Sequence, residues 1–277
     1  MKLMQILKSL LFIIPLFFIF LNCSVGQNVK SCDSPSLDII PPTESFVKVL
    51  ILDDFDGSIK GSGSGIIINQ LEKSTVILTV KHVCINSKDM EKEDPEISIV
   101  GIVDFKGVRY DSIVAKLDPL NDLCLIATIN KKIDVDVVLL AGKKPRVGMH
   151  VYNLAAPIGF FNAGMVPIFE GFYSGDRTKG FYSKDKIHNT GYSVYTIPGM
   201  GGSSGSAILN SKFELIGIVS LGLTRFNNLM VAVDYVSVKH FLNSQQGLEL
   251  VIDLKVKKRN LETVRMLQEM LDARLHF

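Results

Sequence analysis

The sequence has little cysteine, four residues in 277, and no Cys/His spacing in it resembles a zinc site. It has no excess of charge of one sign. The formal net charge is +2, which gives no argument for nucleic acid or for an acidic partner. It has no internal repeat and no low-complexity segment, which sets repeat arrays aside. It also lacks a long apolar run. The sustained stretch at residues 10–21 (LLFIIPLFFIFL) falls short of the roughly 20 residues that span a bilayer. What is present is core-forming material. The chain is 47% hydrophobic, and an all-β fold of this length commonly forms one domain.

That short run, preceded by Lys2 and Lys8, has the layout of a secretory signal peptide. Ser24-Val25-Gly26 places small residues at the offsets for cleavage before Gln27. Residues 1–26 are therefore expected to direct export to a periplasm or the extracellular space. An uncleaved membrane anchor is the alternative, and membrane contact is expected only in that case. Lipidation at Cys23 is disfavoured because Asn22 sits where a small residue is required. Cleavage would leave Cys32, Cys84 and Cys124, an odd number that cannot pair fully. Cys124, inside an apolar run, is expected to be a buried small hydrophobe. A Cys32–Cys84 bridge stays open.

Beyond a polar lead-in at residues 27–45, which carries Pro41-Pro42, the pattern is β. Residues 47–53, 65–69, 74–80, 97–105, 108–115 and 122–129 are Val/Ile-rich and bounded by Gly, Asp, Asn or Lys. A second series follows at 137–140, 150–155, 168–173, 192–197, 207–209, 215–221 and 230–233. Two such sets predict an all-β protein of two antiparallel six-stranded barrels, over 46–135 and 136–245. Gly175 to Thr190 reads as a long polar loop. Tyr235 to Leu242 reads as a short helix closing the second unit. In the extension, 246–277, Leu261, Val264, Leu267, Leu271 and Leu275 recur at helical spacing, as expected for a helix packed on the barrels. Lys255-Val256-Lys257-Lys258-Arg259 reads as a solvated patch rather than a nucleic-acid surface.

Three segments carry chemistry. His82 ends the run Ile77-Leu78-Thr79-Val80-Lys81. Asp122 opens Asp122-Leu123-Cys124-Leu125-Ile126. Ser204 lies in Gly202-Ser203-Ser204-Gly205-Ser206. A hydroxyl nucleophile needs a base, and the base needs an orienting carboxylate. His82 is the candidate base, since imidazole exchanges protons near neutrality. Asp122 is the candidate orienting group, because the nearby Asp118-Pro119 reads as a turn. Ser204 is the candidate nucleophile, with the N–H groups of Gly202 and Ser204 as the oxyanion hole. His150, His188, His240 and His276 lack comparable context. A competing frame, Gly201-Gly202-Ser203-Ser204-Gly205, satisfies G-x-S-x-G with Ser203 as an elbow nucleophile. It would need Asp234 and His240, six residues apart, and a strand–helix alternation that is missing.

In the order His, Asp, Ser, these segments resemble a trypsin-like serine peptidase of the chymotrypsin fold, closest to short HtrA-like forms. Four further segments extend the resemblance over residues 46–243. They are Gly61 to Ile67, Val147 to Val151, Ala156-Pro157-Ile158-Gly159 and Ile216 to Ser220. It implies peptide-bond hydrolysis through an acyl-enzyme, a protein or peptide substrate, and no cofactor or metal. Only 32 residues follow Gln245, too few for a PDZ domain. Pro198, Val219 and Gly222 fall at the primary pocket. Pro198 stands where trypsin carries its basic-specificity aspartate, so small or apolar residues are expected before the scissile bond. Ser203 replaces the aspartate that pairs with a new N-terminus in zymogen-activated members. A catalytically silent binding module of the same fold is the rival from another class.

The export reading predicts that mass spectrometry of secreted or periplasmic protein gives an N-terminus near Gln27. Recovery of only full-length, membrane-embedded chain would favour the anchor.

Overall fold

In a computed structural model, the chain is described over residues 40–275, apart from 54, 87, 88, 90, 91, 93, 178–190, 223–227, 245 and 246, with backbone alone from 267 onward. Strands β1 (Phe46–Leu52), β2 (Ile59–Gln70), β3 (Thr75–Thr79), β4 (Ile99–Val103), β5 (Arg109–Leu117) and β6 (Cys124–Thr128) form the first half. β7 (His150–Leu154), β8 (Ile168–Arg177), β9 (Tyr192–Tyr195), β10 (Ala207–Leu209), β11 (Leu215–Gly222) and β12 (Met230–Val233) form the second. Each set closes into an antiparallel barrel. The strand orders are β1-β2-β3-β6-β5-β4 and β7-β8-β9-β12-β11-β10, one topology used twice. Closure removes the free edges that an open sheet of such apolar strands would expose.

The strands that lead to His82 and away from Asp122 are wholly buried. All five residues of β3 and all five of β6 are inaccessible, and the two strands pair from Val76↔Ala127 to Thr79↔Cys124. Their β-branched and leucine side chains fill the first barrel. Each such side chain contributes about 1.5–3 kcal/mol through burial. Tyr195, Ile208, Ile216, Val219, Met230 and Ala232 fill the second. The barrels meet where β2 touches the loop before β10. Ser64 N–H donates to the Ser204 carbonyl (2.8 Å), and Ser64 Oγ donates to the Gly202 carbonyl (2.8 Å).

Several expectations are corrected. Residues 137–140 are not a barrel strand. They form a connector that crosses both barrels, with Val138 N–H on the Ile67 carbonyl and Leu215 N–H on the Leu139 carbonyl. Cys124 is not a free hydrophobe. It forms a disulfide with Cys84, which also removes the Cys32–Cys84 alternative. The polar loop expected from Gly175 begins later, because β8 runs to Arg177; residues 178–190 lie outside the described residues.

A single helical turn, α1 (Lys81–Cys84), follows β3, and α2 (Tyr235–Asn243) follows β12 with Asp234 as its cap. The last helix, α3 (Leu248–Leu275), packs through Leu248 and Ile252, while Leu261 and Val264 of the expected stripe are exposed. The Lys255–Arg259 patch is partly engaged. Lys255 Nζ donates to the carbonyls of Val114 and Ala115, and Arg259 to that of Ser112, so the cluster grips β5. Among the described residues, no helix is long and apolar enough to cross a membrane.

Candidate active site

His82 sits in α1, a four-residue turn set directly on the end of β3. A turn this short has no intrinsic stability and holds its shape through tertiary contacts. Val83 and Cys84 anchor it in the core, while the His82 side chain stays 30% exposed. Asp122 is presented by a compact turn. Asp118 Oδ1 accepts the N–H groups of Leu120 (2.8 Å) and Asn121 (3.0 Å), and its Oδ2 accepts Asn121 Nδ2 (3.0 Å). Asp118 is thus the turn-former, and Asp122 is free to face α1.

The two residues meet twice. Asp122 Oδ1 accepts the His82 backbone N–H at 3.0 Å, and its Oδ2 lies 2.8 Å from His82 Nδ1. With Asp122 ionised, Nδ1 carries the proton and donates, which leaves the Nε2 lone pair for chemistry. Burial works against an imidazolium at His82. The Asp122 charge and hydrogen bond outweigh it, so the imidazole pKa is raised above its ordinary 6.5. Burial likewise pushes the Asp122 carboxyl up, but His82 and the Ser220 hydroxyl hold it below its ordinary value.

Ser220, at the end of the buried run of β11, completes the junction. Its Oγ donates to Asp122 Oδ2 (2.5 Å), and its carbonyl accepts the Ser204 hydroxyl (3.4 Å). One residue of the second barrel therefore touches both Asp122 and Ser204. Sequence reasoning had Ser220 only as a strand residue; a polar side chain ending the apolar run Ile216 to Val219 was the available signal.

The loop around Ser204 is shaped by glycine. Gly202 has φ +92°, and a Cβ there would lie 2.5 Å from the Ala156 carbonyl. Ile158, itself at φ 55°, donates its N–H to the Gly201 carbonyl at 2.5 Å. Gly205 has φ +86°, and a Cβ on it would lie 2.1 Å from both the Ser64 carbonyl and Thr79 Oγ1. The N–H groups of Ser203, Gly205 and Ser206 donate to the carbonyls of Met200, Val219 and Ser203. Among the described residues, those of Gly202 and Ser204 have no protein acceptor. Ser203 is fully buried and its Oγ accepts the Met200 N–H (3.3 Å), so it braces the loop. The elbow reading of Ser203 fails on this and on the fold. Asp234 caps α2 through the Ser237 N–H, and His240 is an exposed residue of the same helix, whereas Ser203 is fully buried.

Of the expected pocket residues, Pro198 follows β9, and Val219 and Gly222 lie on β11. Pro198 is half-buried, Val219 is buried and Gly222 is exposed. Met230, which sequence reasoning did not single out, is 2% exposed and pairs with Gly222. It fills the space that a Gly199 side chain would need: a Cβ there would lie 2.4 Å from Met230 Cε and Sδ. His150, on β7, faces Glu170 at 3.4 Å instead. His188 and His276 lie outside the described residues. Among the described residues, no group of three or more His, Cys, Asp or Glu could hold a metal ion.

The family model described as a trypsin-like peptidase domain matches residues 63–218, just over half of the chain. No curated protein matches. Among solved structures, the chain is similar to the active form of the Rv3671c protease from M. tuberculosis, at TM-score 0.57 and 15% identity, covering 72% of this chain and 79% of that one. An inactive mutant form of Rv3671c from M. tuberculosis H37Rv gives TM-score 0.55 at 15% identity, covering 73% and 86%. The serine endoprotease from Yersinia pestis gives TM-score 0.53 at 20% identity, covering 76% and 64%.

The raised His82 pKa has a signed consequence. A base acts only when neutral, and a raised pKa keeps it protonated to higher pH. The acid limb of kcat/KM should therefore have its midpoint above pH 6.5. Asp122→Asn should move that midpoint down and cut turnover about 10⁴-fold. A wild-type midpoint at or below the ordinary imidazole value, or one that Asp122→Asn leaves in place, would contradict the assignment.

Proposed function

This chain belongs to the trypsin-like peptidase family and is a serine-type endopeptidase, and we propose that it cleaves peptide bonds through a triad of Ser204, His82 and Asp122. His82 Nε2 takes the Ser204 proton as Oγ attacks the scissile carbonyl. The imidazolium that forms is stabilised by Asp122. The tetrahedral oxyanion is received by the N–H groups of Gly202 and Ser204, each worth about 2.7–4 kcal/mol in the transition state. His82 then protonates the leaving amine. Water, deprotonated by His82, releases the acyl group and regenerates Ser204.

The observation that carries this reading is the pattern of amides in the 202–206 loop. The N–H groups of Ser203, Gly205 and Ser206 are consumed by the fold, and those of Gly202 and Ser204 are left over beside the half-buried Ser204.

We assign the primary pocket to Pro198, Val219 and Gly222, with Met230 against Gly199 and Gly222 as its apolar floor. No carboxylate stands at these positions, so Lys and Arg side chains would find no counter-charge. Cleavage after small or apolar residues follows. Ser203 offers no carboxylate for an N-terminal ammonium, so activity should not need internal proteolysis. The protein is read as exported, on its N-terminal segment and on a disulfide that suits an oxidising compartment.

A peptide-library digest by chain verified as uncleaved tests the reading. Cleavage should follow Ala, Val or similar residues, and Ser204→Ala should lower turnover by about 10⁴-fold or more while the fold is kept. A strong Lys/Arg preference would overturn the pocket assignment. A folded wild-type protein without turnover would point to a binding module.

A further inference from the structure

The Cys84–Cys124 disulfide runs alongside the His82–Asp122 pair. Each cysteine lies two residues after one member of the pair, so both connections span 40 residues. Cys84 is the last residue of α1, the turn that carries His82, and Cys124 is the first residue of β6, just beyond the turn that presents Asp122. Both are fully buried.

A bridge here adds little to barrel closure. Cys124 is already held by the ladder, opposite Thr79 on β3 and Leu117 on β5. Cys84 is outside the ladder. Its turn closes on a Val83 N–H to Val80 carbonyl bond of 3.2 Å, and its exit on the bond from Ser98 N–H to the Cys84 carbonyl at 2.9 Å. The bond therefore ties the least self-supporting element of the site to one of its firmest strands. We propose that Cys84 and Cys124 are positioning residues, whose covalent link fixes the His82 turn against the Asp122 strand and so holds the imidazole at hydrogen-bonding distance from its carboxylate. The inference rests on the triad reading above. Catalysis is sensitive to such placement: a shift of about 1 Å in a catalytic group can lower the rate about 100-fold.

The test compares wild-type protein with the Cys84→Ala/Cys124→Ala double variant. Steady-state kinetics on a peptide substrate are measured beside the NMR titration of the labelled His82 imidazole, which needs no turnover. In the folded variant, kcat should fall about 10- to 100-fold with KM within about twofold. The His82 midpoint should move down, towards the ordinary imidazole value. A folded variant with unchanged kcat and unchanged titration would overturn the proposal and leave the bond as a stabiliser alone. If the double variant does not fold, folded wild type is treated with dithiothreitol. Two electrons and two protons pass from the dithiol to the cystine, giving two thiols and the cyclic disulfide of the reagent. The same fall in kcat and the same shift are expected. Unfolding on reduction would make the bond a requirement of the barrel and overturn the positioning role. A wild-type protein with no turnover would sink the triad reading instead, a result separate from the comparison of the two titrations.

Discussion

A buried carboxylate organises this molecule. Asp122 is 7% exposed, and an ion at such a site is costly unless donors surround it. Three converge on it: the His82 backbone N–H, His82 Nδ1 and Ser220 Oγ. They come from two places, the turn after β3 and the end of β11, and meet on the turn before β6. The first barrel supplies both His82 and Asp122, and the second closes over them with the Ser220 hydroxyl. Satisfying one charge thus fixes the relative placement of strands from both barrels, and the same Ser220 accepts the Ser204 hydroxyl.

The second constraint is the loop around Ser204. Its carbonyls are pinned from outside: Gly201 by Ile158, Gly202 by Ser64 Oγ, Ser204 by Ser64 N–H. The Gly201 carbonyl shares its peptide with the Gly202 N–H, and the Ser203 carbonyl, which accepts the Ser206 N–H, shares its peptide with the Ser204 N–H, so both free amides sit on peptides whose carbonyls are held. The loop is therefore preorganised before substrate arrives, which is where electrostatic stabilisation gains its advantage over water. Ser203 and Ser204 are chemically identical neighbours with opposite fates. One is packed beneath the loop and the other stands beside Ser220.

Much of this was legible in the sequence, for physical reasons. A barrel strand must alternate or be wholly apolar, so Val/Ile-rich segments such as 75–79 and 124–128 declare themselves. His82, Asp122 and Ser204 stood out as candidates because base, carboxylate and hydroxyl must come in a set, and the fold places His82 on Asp122 with Ser220 between Asp122 and Ser204. Residues 137–140 misled because an apolar run reads as a strand whether it joins a ladder or bridges two barrels. The Cys84–Cys124 bond depends on a Cα separation of 6.6 Å that only the fold creates. Ser220 and Met230 act through neighbours remote in the chain, which no local pattern encodes. The doubled topology left no sequence repeat, since each barrel asks only for burial at the right places. Lys255 and Arg259 looked solvated because their carbonyl partners lie on β5, 140 to 147 residues away.

The central claim is that Ser204, and not Ser203, is the activated hydroxyl. The most direct measurement is covalent labelling of the folded wild-type protein with a fluorophosphonate, followed by peptide mapping. The account predicts one phosphonyl adduct, on Ser204, lost in His82→Ala. An adduct on Ser203, or no adduct on folded and active protein, would contradict it.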